Sequence, residues 1–396
     1  MNEAIIILDS QRNEFSERIV DISYNRRIPI FWMKSDVCSD LCFEMVDTKT
    51  RVKTRMKDTT MNYIGSSAFM SNNLDKKLKE IGVYKIIIVG NTNLLNTIND
   101  AKKMGYKIQT ITECLSYHNI DDIDDIYDVI SIEKYESESY KITDDSRIYY
   151  NFMEMKDVVD FDVVKESVNW KTMMQKGSDV PRLISIQGEI VDGKSPLYRH
   201  PVDKQPELKE FQPLVKLIRD KISVFLGYNF NHVLVQYYRN GADNIGQHSD
   251  KTLDIIPNTP IVNYSLGATR TMQLIKKDGR DRLYIGLSNN SLFVMGLETN
   301  DKYLHMINSD NRLDSEKTEN EKINGGGRIS FTFRCIGTFI DKNNVLSGQG
   351  APMNNDGKID DSYDMMMAFS NENRNSNFDR KVYENGFWAL DSTNIS

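Results

Sequence analysis

Cysteine, histidine, tryptophan and proline are all scarce in this chain, which has 4 Cys, 5 His, 3 Trp and 9 Pro in 396 residues. The four cysteines, Cys38, Cys42, Cys114 and Cys335, form no spaced framework. That excludes a small disulfide-stapled scaffold and points to a reducing compartment. Cys38 and Cys42 read as a pair of buried thiols rather than a metal site. No apolar run approaches the ~20 residues that cross a bilayer, and no charged-then-apolar export signal opens the chain. An intracellular protein is expected, cytoplasmic or nuclear. The usage rich in Asn, Ile, Asp and Lys fits an AT-rich genome, including that of a virus acting in its host cell. A net charge of −7 argues against a surface that coats nucleic acid throughout. The charge is uneven, however. Residues 151–340 carry 25 Lys+Arg against 24 Asp+Glu, and the remainder carries 25 against 33. The central region therefore has room for a local phosphate-binding groove.

A length of 396 residues with 39% hydrophobic side chains predicts two domains with real cores and a tail. In the first part, apolar runs at 4–10, Ile28–Met33, Tyr84–Val89, Lys107–Thr112 and Asp128–Ile132 read as strands. Helical periodicity marks Asn73–Ile81 and Asn93–Met104. Strand and helix alternate at βαβ spacing, which predicts a three-layer parallel α/β domain over residues 1–135. The charged stretch at 136–146 reads as a linker. From 147 to 342 the pattern changes. Helices are expected over Asp160–Trp170 and Glu207–Leu226, followed by short β runs that suggest a curled antiparallel sandwich. Within it, Asn308–Gly327 reads as a mobile loop. Residues 343–396, rich in Asn, Asp, Ser and Met, read as a poorly ordered low-complexity tail without its own core. Phe387-Trp388 is the one cluster there suited to docking. The fold class is thus α/β plus α+β.

Two of the five histidines stand in a telling order. QHSDK holds His248 and Asp250, YLHMI holds His305, and GGRISFTFR follows with Arg328 and Arg334. Two neutral imidazoles and one carboxylate hold non-haem Fe(II) on one face and leave the other open. H-x-D spacing alone is a weak signal. The arginines add an independent constraint, because Ile329, Phe331 and Phe333 alternate with Arg328, Ser330, Thr332 and Arg334. Both guanidinium groups then fall on one strand face, where a planar fork pairs well with a carboxylate.

With those residues laid out, the segment from about Trp170 to Thr338 resembles the AlkB-like Fe(II)- and 2-oxoglutarate-dependent dioxygenases. PRLISIQGEI, GYNFNHVLVQYYRNGADNIGQHSDK, IVNYSLGATRTMQL, SLFVMG and RISFTFR stand in that family's order. The resemblance implies a double-stranded β-helix, or jelly roll. It also implies Fe(II) on His248, Asp250 and His305, with 2-oxoglutarate and O2 as co-substrates. Arg328, helped by Tyr238, would pair with the distal carboxylate of 2-oxoglutarate. Arg334 would sit near its chelating end and the substrate pocket. Gln236 stands where the family usually has Asn, keeping the amide on a longer arm. The implied reaction is oxidative demethylation of N-alkylated bases in DNA or RNA, for repair or RNA modification, releasing formaldehyde, succinate and CO2. A base attacked in this way must leave its stack and needs an aromatic platform. Tyr198 matches the family's stacking position, and Trp170 is a second candidate. Arg182 and Arg199 could meet phosphates.

Residues 4–112 resemble the isochorismatase-like (cysteine hydrolase) family through IIILDSQRNEF, SSAFMSNNLDKKLKEIGVYKIIIVGN and NTINDAKKMGYKIQTIT. That family uses an Asp, a Lys and a nucleophilic Cys. Asp9 and Lys57 match the first two, and Asn93 replaces the cysteine. A carboxamide has no ionisable nucleophile to form a thioester, so the resemblance implies a degenerate domain. Ligand binding or homo-oligomerisation would be its remaining role.

Two other readings stay open at this point. One is a 2-oxoglutarate oxygenase acting on a protein or small molecule, since the chemistry is indifferent to what carries the C–H. The other is an inactive nucleic-acid-binding module.

Overall fold

The computed structural model describes residues 3–8, 19–20, 23, 28–35, 59–63, 67–70, 73–90, 94–111, 128–130, 139–154, 157–175, 177–202, 206–279, 281–353 and 360–390. The chain divides into two compact units. The first comprises Met1–Glu138 with Leu313–Thr318, and the second Ser139–Arg312 with Glu319–Ser396.

The first unit is built on an all-parallel sheet of β1 (Glu3–Leu8), β2 (Ile30–Ser35), β3 (Thr59–Tyr63), β4 (Lys85–Gly90), β5 (Lys107–Ile111) and β6 (Asp128–Ile130), in the order β3-β2-β1-β4-β5-β6. Helices α1 (Leu74–Glu80) and α2 (Leu94–Lys103) pack on it. Ala4, Ile6 and Leu8 join the cluster that holds Leu74, Leu78, Leu94, Ile98 and Ala101. Ile5 and Ile7, on the other face of β1, are equally buried. A strand covered on both faces needs a continuous apolar run, as the AIIIL of β1 supplies. β3 was not expected from the sequence; its TTMNY lies at the sheet margin and is largely polar. Asp9, Lys57 and Asn93 lie outside the described residues, as do Cys38, Cys42 and Cys114.

The second unit contains β7 (Ser139–Lys141), β8 (Arg147–Tyr149), β9 (Met174–Gln175), β10 (Ser178–Asp179), β11 (Leu183–Gly188), β12 (Lys194–Pro196) and β13 (Lys209–Glu210). It continues through β14 (His232–Tyr238), β15 (Ile245–His248), β16 (Ile261–Gly267), β17 (Arg270–Lys276), β18 (Arg282–Leu287) and β19 (Ser291–Met295). β20 (Tyr303–Ile307), β21 (Arg328–Arg334), β22 (Thr338–Asp341) and β23 (Leu346–Gly348) complete it. An eight-stranded sheet runs β13-β11-β14-β21-β16-β19-β8-β7, and a four-stranded sheet runs β15-β20-β17-β18.

Helices α3 (Phe161–Ser167) and α4 (Pro213–Leu226) cover one face of the larger sheet. Asp160 caps α3 by accepting from the amides of Asp162 and Val163. Proline in the first turn starts α4, and Gly227 at φ 73° closes it in the left-handed conformation. Val164, Val215, Ile218 and Ile222 meet Val233, Val235, Val262, Tyr264, Ile329, Phe331 and Phe333. The apolar half of β21 is therefore core, and its other half faces the interior of the site. Pairing with β14 and β16 on either side makes β21 a central strand.

Three expectations are corrected. Residues 139–146, read as part of a linker, belong to the second unit: β7 pairs with β8, and Asp145 accepts from the amides of Glu298 and Thr299 at the start of α5 (Leu297–Lys302). In the segment read as a mobile loop, α6 (Glu319–Lys322) forms, and Arg312 bridges Asp310 and Glu321. The segment 343–396, read as lacking a core, has one. α7 (Ser362–Arg374) brings Met365, Ala368 and Phe369 against Phe378, Tyr383, Phe387 and Leu253. Composition misled here because a few aromatics spaced along a polar stretch suffice to bury one helix face.

If this segment belongs to the cooperative unit, Phe369→Ala should destabilise the protein by about 3–5 kcal/mol, the usual cost of emptying a buried aromatic site. The denaturant midpoint reads this directly. An unchanged midpoint would show the segment to be dispensable for stability.

Candidate metal centre

His248 ends β15 and His305 lies in the middle of β20, and antiparallel pairing sets the two residues opposite each other. Their rings are 4.1 Å apart between centroids. Asp250 follows two residues after His248. Its Oδ1 lies 3.9 Å from Nε2 of His248 and 3.8 Å from Nε2 of His305. All three ligand atoms fall within 4.8 Å of one another. With metal–ligand bonds of about 2.1 Å, donors can stand up to ~4.2 Å apart around one ion, so the two carboxylate-to-imidazole distances are within reach of a single first-row metal. Nδ1 of His248 lies 2.8 Å from the carbonyl of Gly246, to which it donates, leaving Nε2 as the lone-pair nitrogen.

Arg334 determines which carboxylate oxygen is free. Its Nε and Nη2 both donate to Oδ2 of Asp250, at 3.0 and 2.7 Å, and Oδ1 is left facing the imidazoles. Burial by itself would raise the Asp250 carboxyl, but the Arg334 guanidinium overcomes it and holds the group well below the usual carboxylate range. Burial pushes His305 down to about 3 and also lowers His248. Two neutral imidazoles and an ionised carboxylate are the protonation states a metal requires.

Four successive backbone amides around Asp250 are each accepted by a side chain. Ser249 N donates to Oδ1 of Asn373 at 2.9 Å, and Asp250 N to Oδ1 of Asn300 at 2.9 Å. Lys251 N donates to the Tyr198 hydroxyl at 3.1 Å, and Thr252 N to Oε1 of Glu372 at 3.0 Å. Asn300 also donates back to the Asp250 carbonyl at 2.9 Å, tying the loop to the helix that leads into His305.

The three ligands open onto a cavity of about 660 Å³. The polar face of β21 and its cross-strand neighbours form one side of it: Gln236, Tyr238, Asn263, Ser330, Thr332 and Arg334. Arg328 lies on the same face and is fully buried. Nη2 donates to Oδ1 of Asn263 at 2.9 Å and to Oγ of Ser265 at 2.8 Å. Among the described residues Nε and Nη1 have no hydrogen-bond acceptor, and the guanidinium carbon lies 5.4 Å from the centroid of the Tyr238 ring. Burial lowers this guanidinium to about 10, so it remains cationic at neutral pH. A buried cation with two idle donors and only neutral acceptors among the described residues is costly unless an anion joins it. A carboxylate has the geometry those donors require.

The residues expected to hold substrate are placed differently. Arg199 is fully buried, paired with Asp254 and donating to the carbonyls of Gly350, Phe387 and Ala389. It cannot meet a phosphate; it anchors the C-terminal segment. Trp170 lies away from the cavity, its Nε1 bonded to the Lys165 carbonyl and its ring 5.4 Å from that of Tyr237. Tyr198 lines the cavity, but Arg334 lies 4.2 Å from its ring centroid and His200 stacks at 5.3 Å. An open stacking platform is therefore not present at that ring. Arg182 lines the cavity too. Its Nε donates to Oε1 of Gln236 at 2.7 Å and its Nη1 to the Asn244 carbonyl at 3.1 Å. Asn263, Ser265, Asn300, Glu372 and Asn373 were not singled out from the sequence. Asn263 and Ser265 left a trace there, as polar residues at alternate positions of IVNYSLG.

In the metal-free protein, stability should fall as pH drops from 6.5 toward 4. The unfolded chain protonates its imidazoles near 6.5, whereas burial delays uptake to about 4 at His200 and about 3 at His305. Asp250 extends the loss in the same direction below 3.8. Thermal melts across this range would check it. A midpoint flat between pH 6.5 and 4 is incompatible with neutral buried rings.

The 2OG-Fe(II) oxygenase superfamily model matches residues 147–334. Human DNA oxidative demethylase ALKBH2 is 33% identical over 107 residues, 25% of this chain and 41% of that protein. Rat alpha-ketoglutarate-dependent dioxygenase alkB homolog 3 is 26% identical over 184 residues, 43% of this chain and 57% of that protein. The chain thus spans well under two thirds of these relatives. An isochorismatase-like hydrolase structure from Alkaliphilus metalliredigens aligns over 34% of this chain and 94% of its own, at 17% identity and a TM-score of 0.28. The triad and the β21 arginines thus stand in a segment, 147–334, that matches the 2OG-Fe(II) oxygenase superfamily and is similar in sequence to AlkB-type dioxygenases.

Proposed function

We propose that this protein is a 2-oxoglutarate-dependent dioxygenase that oxidatively demethylates N-alkylated nucleobases in DNA or RNA. The observation that carries the oxygenase reading is the pairing of a His248–Asp250–His305 donor set with a buried, half-unpartnered Arg328. The nucleobase is supported by the similarity to ALKBH2, a DNA oxidative demethylase. We read the two antiparallel sheets of the second unit as a double-stranded β-helix. The first unit is read as a degenerate hydrolase on the strength of Asn93, with homo-oligomerisation as one role left to it.

His248, Asp250 and His305 would hold Fe(II), and Arg328 would hold the distal carboxylate of 2-oxoglutarate. With O2, that assembly supplies the oxidising power to hydroxylate an N-methyl C–H bond while 2-oxoglutarate is decarboxylated to succinate. The chain's own residues prepare for it. Arg334 restrains Oδ2 of Asp250, so the carboxylate would offer a single oxygen, Oδ1, as a ligand atom. Asn263 and Ser265 aim the Arg328 fork, holding Nη2 and leaving Nε and Nη1 for the diacid. Apolar neighbours such as Leu234, Ile261 and Phe293 line the cavity and strengthen these charge contacts by limiting water.

A second reading, oxygenation of a protein or small molecule, is favoured by one observation: Trp170 and Arg199 are committed elsewhere and the Tyr198 ring is already occupied.

With Fe(II), 2-oxoglutarate and an N-methylated oligonucleotide, the wild-type protein should form succinate and formaldehyde, and Asp250→Ala should form none. Arg328→Ala should raise the KM for 2-oxoglutarate by about 10–100-fold, since a hydrogen bond to a charged group contributes about 1.5–3 kcal/mol. Turnover of a methylated peptide with no turnover of any nucleic acid would move the substrate class to protein.

A further inference from the structure

The family match ends at Arg334, yet part of the site comes from beyond it. α7 presents three distinct stripes. Met365, Ala368, Phe369 and Glu372 are buried in the C-terminal core, while Tyr363, Asp364, Met367 and Asn371 are exposed. Between them, Met366, Ser370 and Asn373 recur at i, i+4 and i+7 and line the cavity that holds the metal ligands. A helix packed only for stability would need the first stripe alone.

Its last turn also holds the metal-ligand loop. The Asn373 Oδ1 accepts from Ser249 N at 2.9 Å, Ser249 Oγ at 3.1 Å and Lys251 Nζ at 2.9 Å. A main-chain N–H donor identifies that atom as the oxygen. The Glu372 Oε1 accepts from Thr252 N and from Thr252 Oγ1, at 3.0 and 2.6 Å, and its Oε2 accepts from the Tyr383 hydroxyl at 2.8 Å. Ser249 stands between His248 and Asp250, and Thr252 two residues after Asp250. Two of the four amide clamps on this loop therefore belong to α7. Outside the helix, Arg380 pairs with both Asp301 oxygens, and Lys277 donates to the Glu372 carbonyl at 2.6 Å. These contacts join α7 and its surroundings to the segment that runs into His305.

We propose that α7 is a working part of the active site: Asn373 and Glu372 position the metal-ligand loop, and Met366 and Ser370 form a wall that selects the substrate. The wall rests on the nucleobase reading above; the positioning role does not. Asn373 is a positioning residue, acting on the metal through the backbone on either side of Ser249.

Mn(II) titration of the full-length protein tests the first half. Asn373→Ala should weaken Mn(II) binding by about 10–100-fold, the usual effect of losing a group that orients metal ligands. Asn373→Asp, which keeps the acceptor oxygen, should recover most of that loss. A purely structural role would lower the melting temperature of Asn373→Ala and leave its Mn(II) affinity, measured well below the melt, unchanged; that result overturns the positioning role. For the wall, Ser370→Trp should raise the KM for a methylated oligonucleotide about tenfold, a typical penalty for a misfitted pocket. Met367→Trp, on the exposed stripe of the same helix, serves as the control of equal size. Identical kinetics in the two tryptophan variants overturn the wall. If the wild-type protein turns over no methylated oligonucleotide, the nucleobase reading and the wall fall together, while the Mn(II) series still decides the positioning role.

Discussion

A carboxylate cannot be kept ionised in a protein interior unless something compensates it, and the second unit is organised around that requirement at Asp250. Moving a bare carboxylate from water into the interior costs several kcal/mol even after relaxation. Arg334 offsets that cost with two donors on one oxygen. The geometry does more than stabilise. By occupying Oδ2 alone, the guanidinium leaves Oδ1 equidistant, within 0.1 Å, from the two imidazole nitrogens at 3.9 and 3.8 Å. The same pairing forces β21 to lie across from the loop after β15. The alternation of RISFTFR then has two consequences at once: Ile329, Phe331 and Phe333 close the core beneath α3 and α4, and Arg328 is delivered to the far end of the polar face.

Arg328 and Arg334 are both buried guanidinium cations, but their surroundings differ. Arg334 has its carboxylate within the chain and is a satisfied ion pair. Among the described residues, Arg328 has neutral hydrogen-bond acceptors on one nitrogen and none on the other two. A fold that tolerates this arrangement loses stability at Arg328, and a bound diacid would restore it. That contrast is what singles out Arg328 as the arginine suited to an external anion, without reference to any relative.

Much of this was legible in the sequence where the physical signal is local. The β21 alternation, the α3 periodicity and the continuous apolar runs of β1 and β4 appear close to where they were read, whereas the helix read from Glu207 starts only at Pro213, after the short strand β13. The three side chains that cluster as a candidate donor set were identifiable by residue type and order. The strands that carry them were not: β15 is four residues with an irregular register, and β20 is a five-residue YLHMI whose histidine breaks the apolar pattern. Errors clustered where function was attached to one residue through context. Tyr198, Trp170 and Arg199 have suitable chemistry, but what each does depends on partners far away in sequence. Asp254 and the carbonyls of Gly350, Phe387 and Ala389 take up Arg199 completely, and only one of those four groups lies within a hundred residues of it.

The C-terminal segment shows why composition is a poor guide to a strap of this kind. SYDMMMAFSNENR is polar on average, yet one stripe suffices to bury it, and the polar remainder is what the metal-ligand loop needs. Four consecutive main-chain donors around a buried carboxylate have no helix or sheet to satisfy them, so side chains must do so. Asn300 and Tyr198 come from within the segment shared with the oxygenase relatives; Asn373 and Glu372 come from outside it. A loop whose amides are satisfied by two separate parts of the chain can hold its ligands only when both parts are in place. It follows that the C-terminal helix and the loop carrying Asp250 must be in place together for these amides to be satisfied, and that Glu372 and Asn373, unlike the exposed face of the helix, answer to both packing and the loop.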